Sequence, residues 1–240
     1  MSRRPAAKTS WFTVLLVIAA VAIWALDQKR AVDSRSKPQS RKVEKASPAP
    51  KPDPTLAEKP PSKSERKGAY EIYRNCTLVE ARNNDGDSFM LRLPDGRQAE
   101  FRLYFVDTPE SAFKRYAGSE TNHERIRQQA AELGGITPEQ AVEIGKKGKA
   151  YTLALLGGRP FTIFTCWDSP FHDERYHAFV EVRENGKSRW LHELLVERGL
   201  VRMKTKPADL PDGTPASKHR DHLRDLERRA KQSATGVWGL

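Results

Sequence analysis

Between Phe101 and Glu110 the chain reads FRLYFVDTPE, an arginine inside an apolar and aromatic run that ends in two carboxylates. Just upstream, Asn83-Asn84-Asp85-Gly86-Asp87 places two more acids in a turn. A charge set into a strand, with carboxylates at its mouth, is costly to keep unless those charges pair or bind something. Carboxylate oxygens without nitrogen or sulfur ligands suit a hard cation, calcium or magnesium. An arginine beside them carries a planar fork that can donate two hydrogen bonds to a phosphate. On these residues alone two readings stay open: a structural arginine–carboxylate pair at a strand end, or a site that binds.

The elements that must position these groups follow from composition and punctuation. Phe101–Val106 has the β-branched and aromatic content of a strand, which Pro109 cannot continue. Asp107 then lies where the strand opens into a loop, with Glu110 just beyond. The 83–87 turn leads into a strand over Ser88–Leu93, and Pro94-Asp95-Gly96 returns the chain antiparallel. By strand count Asp87 and Asp107 fall at opposite ends, so their convergence rests on the curvature of the sheet. Ile72–Ala81 reads as the first strand, Pro160–Trp167 as the fourth and His177–Arg183 as the fifth, with Asn185-Gly186 as a hairpin turn. A polar helix is expected over 120–133. Thr137, Pro138 and Gln140 begin another with a capping box, and Gly157-Gly158 ends it. Short and long helices follow from Trp190 and from Thr214-Pro215. Five strands with three or four helices predict an α+β, mainly β, barrel with helices packed around one end.

The tract from Asp85-Gly86-Asp87-Ser88 through FRLYFVDTPE resembles the staphylococcal nuclease (thermonuclease) family in spacing and composition, and the likeness runs to the C-terminus. The resemblance implies a five-stranded barrel of the OB type that hydrolyses DNA and RNA with calcium as cofactor, leaving 3′-phosphate ends. Residue by residue, it implies that Asp87 and Asp107 bind calcium and that Thr108 adds its backbone carbonyl. Glu110 matches the general base for the attacking water, and Arg102 and Arg175 match the phosphate-binding arginines. Two departures stand out. Asp173 and Glu174 precede Arg175 where the family commonly has an aromatic and a glycine. Lys204-Thr205-Lys206-Pro207 stands where the founding member stacks the base on tyrosines.

The N-terminal third reads differently. Arg3, Arg4 and Lys8 precede an uncharged apolar run from Trp11 to Leu26, 16 residues against the ~20 that span a bilayer comfortably. Residues 1–26 are expected to be an uncleaved signal anchor, with a cleaved signal peptide as the alternative. Residues 27–68, rich in Pro, Lys, Ser and Ala, have too few large apolar side chains for a core and read as a disordered tether. The folded domain is expected over 69–240. Of the net charge of +11, residues 1–68 carry +9 and residues 69–240 only +2. The basicity therefore belongs to the tether, suited to anionic lipid or a polyanion, and is weak support for nucleic-acid binding by the domain. The expected arrangement is a monomer tethered to the membrane, facing outside the cytoplasm, or else secreted, with no protein partner.

Cys76 and Cys166 fall on the first and fourth strands and are either bonded or two separate thiols. His219 and His222 on the last helix read as solvent-facing, and with no cysteine or further histidine nearby in sequence a zinc site is not expected. The rival to a nuclease is a catalytically silent OB-type module that binds nucleic acid or protein. Retention of all five charged side chains implied by the resemblance favours the enzyme.

Overall fold

The computed structural model describes residues 65–170 and 175–240. The anchor expected at residues 1–26 and the tether up to residue 64 lie outside the described residues, as do Asp173 and Glu174. Among the described residues no helix is long and apolar enough to cross a membrane.

Nine strands and four α-helices are described. The first strands are β1 (Glu65–Lys67), β2 (Tyr70–Leu78), β3 (Ser88–Arg92), β4 (Gln98–Leu103) and the short β5 (Val106–Asp107). Helices α1 (His123–Glu132) and α2 (Pro138–Gly157) follow, then β6 (Phe161–Thr165), β7 (Arg175–Glu184) and β8 (Lys187–Trp190). The chain ends with α3 (Leu191–Glu197), β9 (Arg202–Met203) and α4 (Ala216–Gln232). Strands β2, β3, β4, β7 and β6 pair in that order, and β6 closes back on β2, giving a five-stranded barrel consistent with an OB-type α+β fold. All these pairings are antiparallel except β4 with β7, which run parallel. Buried Phe89, Leu91, Phe101, Leu103, Ile163 and Val180 fill the barrel, while Phe179, on the other face of its strand, packs against Trp190 and His192.

Local chemistry explains the elements. Thr137 Oγ1 accepts the Gln140 N–H at 3.2 Å while Gln140 Oε1 accepts the Thr137 N–H at 2.9 Å, the expected capping box at the start of α2. Asn185 and Gly186 both take positive φ (51° and 78°), which lets β7 and β8 join through a two-residue turn that follows the strand twist.

Two expectations about the chain are corrected, and of the two states left open for the cysteines the structure has separate thiols. The strand expected over Phe101–Val106 breaks after Leu103. Phe105 takes φ 69°, its N–H donating to Lys206 O and its O accepting the Lys204 N–H, so Val106 and Asp107 swing out of the barrel wall to pair with β9. Glu65–Lys67, assigned to the tether, pairs with Tyr70–Ile72, so the fold begins before residue 69. The cysteines are free thiols although the first and fourth barrel strands are neighbours. Cys76 stands opposite Phe161, whereas Cys166 lies five residues further along, or about 16 Å at the strand rise. Each thiol has other company, Cys76 with Tyr73 O and Cys166 with Tyr104 and Asp168.

Candidate functional site

In an antiparallel pair, the start of one strand and the end of the next are the same end. Ser88 at the start of β3 therefore stands opposite Arg102 near the end of β4, and the Leu103 N–H donates to Asp87 O at 2.9 Å. Asp87 and Asp107 thus meet at one mouth of the barrel, and the expectation of opposite ends is corrected. The parallel partner β7 begins at Arg175 beside Glu100 of β4, which brings the second arginine to the same mouth. Asp87, Arg102, Asp107, Thr108, Glu110 and Arg175 all line one cleft.

The loop carrying Thr108 to Glu110 lies hard against α2. A Cβ on Gly145 would come within 2.5 Å of the Pro109 and Glu110 carbonyl oxygens, so glycine is required for that approach. Gly86 is tight for the same reason, since a Cβ there would meet Thr108 Oγ1 at 2.6 Å. Thr152 of α2 fixes the acidic turn from the other side, its hydroxyl donating to Gly86 O at 2.8 Å.

The carboxylates are buried and crowded by cations. Asp107 Oδ1 accepts from Arg102 at 2.5 Å, and its Oδ2 accepts from Arg202 Nε at 2.7 Å. Arg202 also pairs with Glu132. Arg102 reaches Asp87 Oδ2 at 3.3 Å as an ion pair without hydrogen-bond geometry. Glu110 is held by Asn122 Nδ2 at 3.1 Å, by Lys114 at 3.5 Å and by Arg125. Burial, with Asp107 and Asp85 adding to it, pushes Asp87 up to about 7 against the opposing pull of Arg102 and Arg175. Asp85 is raised as well, chiefly by burial.

The residues present fit a hard divalent cation. Buried Asp87 Oδ2, Ser88 Oγ and Thr108 Oγ1 have no hydrogen-bond partner, and the acceptors gathered around them are carboxylate and hydroxyl oxygens. The described lining holds five acids (Asp85, Asp87, Glu100, Asp107, Glu110) and five bases (Arg102, Lys114, Arg125, Arg175, Arg202). With all ten ionised, as a cation at Asp87 would hold that carboxyl, such a wall can take up a doubly positive ion together with a doubly negative group and stay neutral.

Sequence reading missed Arg202 and the supporting face of α1. Arg202 had the signal that singled out Arg102, a charge inside an apolar run, here Leu200-Val201-Arg202-Met203. On α1 and its N-cap, Asn122, Arg125 and Gln129 recur at helical spacing on one face. Gln129 Oε1 accepts the Glu110 N–H at 3.0 Å and its Nε2 donates to Asp107 Oδ2 at 3.4 Å, so one amide ties the two carboxylate segments together. Two buried amides flanking Ile126 are the only trace of this in the sequence.

Neither the scan against family models nor the search of curated proteins returns a match for this chain.

Proposed function

We propose that the barrel-mouth cleft is a calcium-dependent phosphodiesterase site that hydrolyses DNA and RNA and leaves 3′-phosphate ends. The observation that carries this reading is the convergence of Asp87, Asp107 and Glu110 with Arg102 and Arg175 on one charge-balanced cleft. As water adds to the phosphodiester and its proton passes to Glu110, negative charge grows on the phosphoryl oxygens, where the cation and the arginines would face it, until the bond to the 5′-oxygen breaks. Asp87 and Asp107, with the Thr108 carbonyl, would hold calcium, which when bound supplies fixed positive charge against the phosphoryl oxygens. Arg102 and Arg175 donate to those oxygens as charge grows on them. Glu110, oriented by Asn122 and Arg125, accepts the proton of the attacking water.

A flexible or single-stranded substrate is favoured by the surface beside Glu110. Phe113 and Tyr116 are exposed by 41% and 49%, and Lys114 and Arg115 lie between them. Exposed rings interleaved with cations offer bases a stacking platform and the backbone a charge track, in place of the missing tyrosines near Lys204. The apolar run at 11–26, preceded by Arg3, Arg4 and Lys8, would anchor a monomer in a membrane with this domain outside the cytoplasm, or direct its secretion, with the basic segment after the run pulling against that orientation.

A silent binding module is the second reading, favoured by Asp107 having each oxygen taken by an arginine. Incubating the purified chain with single-stranded DNA, in calcium and in chelator, separates the two. Cleavage with calcium alone supports the enzyme. Binding without cleavage under both conditions sinks it.

A further inference from the structure

Of the two histidines expected to face solvent, His222 does and His219 does not. His192 of α3 and His219 of α4 meet in the seam between those helices, fully buried and 3% exposed respectively, with their Nε2 atoms 2.7 Å apart. Glu193 Oε1, 13% exposed as a side chain, lies 3.9 Å from His219 Nε2 and 3.5 Å from His222 Nε2. The ligand atoms of His192, Glu193 and His219 all fall within 4.8 Å of one another. His222, half exposed, closes the cluster towards solvent and offers a path in.

We propose that His192, Glu193, His219 and His222 form a zinc site that clamps α3 to α4, separate from the carboxylate cleft. Three imidazole nitrogens and one carboxylate oxygen suit zinc in four-coordinate geometry and do not suit calcium, which takes oxygen ligands alone. Tetrahedral zinc at about 2.0–2.1 Å would hold two nitrogens roughly 3.3 Å apart. The two Nε2 atoms therefore need to separate by about 0.6 Å, within reach of small side-chain rotations. Without a cation, one hydrogen bond joins two buried rings beside a largely buried carboxylate, an expensive arrangement for so little pairing. A divalent ion gives Glu193 a counter-charge and uses lone pairs on both rings.

The site is structural in character. Phe105 packs on both rings, at 6.0 Å from His192 and 5.1 Å from His219, so the clamp also buttresses the turn that swings Asp107 towards β9. None of the four ligands lines the carboxylate cleft.

The test uses the purified full chain, stripped of metal with chelator and titrated with zinc or cobalt(II) alone. The expected result is one equivalent bound, a rise in melting temperature, and the visible absorption of four-coordinate cobalt. Glu193→Gln and His222→Ala are partly exposed positions that should fold, and each should weaken zinc binding ten-fold or more. Asp87→Asn should leave zinc binding unchanged, which keeps the carboxylate cleft out of the readout. Absence of zinc binding by the unaltered chain, or full affinity in both Glu193→Gln and His222→Ala, would overturn the proposal and leave a hydrogen-bonded pair.

Discussion

The barrel mouth and the α3–α4 seam both take ionisable side chains out of water, and they offset the cost in opposite ways. At the mouth, charge is kept and matched: Asp107 sits between Arg102 and Arg202, and Glu110 between Asn122 and Arg125. In the seam, charge is given up: His192 and His219 are held neutral by burial and share one hydrogen bond. A matched wall can absorb a substrate whose charge grows during reaction. A neutral nest has lone pairs to give but no charge to steer an anion. The same burial thus suits one region to the proposed chemistry and the other to the proposed clamp between two helices.

The comparison breaks first, if it is wrong, at Glu110. Glu110→Gln is nearly isosteric and should lower turnover by ~100-fold or more while leaving the fold intact. Near-normal cleavage by a folded variant would remove Glu110 from the chemistry. Next comes Arg202→Gln, which takes away one of the two partners of Asp107. Breaking a buried pair from one side costs about 3 kcal/mol. The same change removes a competitor for the cation, so the calcium-induced rise in melting temperature should be larger than in the unaltered chain. Equal calcium shifts in both proteins would mean that Arg202 does not compete.

How much of this was legible depended on whether a residue's role was local. The capping box at Thr137, the Asn185-Gly186 turn and the acids around Arg102 are written in short stretches, and they appear where expected. The break at Phe105 was not readable, because its positive φ is imposed by hydrogen bonds to Lys204 and Lys206, a hundred residues away. Arg202 carried a readable signal that went unused. His192 and His219 carried none, since one reads as a short-helix residue and the other as part of a solvated helix until α3 and α4 pack.

A pH experiment asks whether burial also neutralises a ring outside the seam, on the barrel strand beside Arg102. His177, buried on β7, is pulled down to about 4 by burial, with Arg102 and Lys206 adding to the pull and Asp168 opposing it. The unfolded chain, at its ordinary 6.5, binds more protons between those values, so stability rises with pH there and is lost as pH falls from 6.5 through 4. At pH 5 that loss is about 2 kcal/mol for this one ring. Urea midpoints at pH 7 and 5 should therefore converge in His177→Gln relative to the unaltered chain, and an unchanged gap would contradict the assignment. The smallest effect is expected from crossing the two regions. Glu193→Gln, assayed at saturating calcium, should change cleavage by less than ~2-fold, since Glu193 does not line the cleft. A larger drop would show that the seam reaches the mouth through Phe105.

The parallel pairing of β4 with β7 has a consequence in time. Parallel neighbours cannot be joined by a tight turn, and here two helices and β6 intervene before Arg175 arrives beside Glu100. Arg202 comes later still, on a two-residue strand that pairs only with β5. Asp107 and its last basic partner are thus separated by 95 residues of chain. Loop closures of that span are late and slow steps in folding. A nascent chain emerging from the ribosome would hold the carboxylates long before the arginines that complete the cleft. Whatever chemistry the mature cleft performs, the growing polypeptide would be unable to perform it until Arg202 had been made and packed.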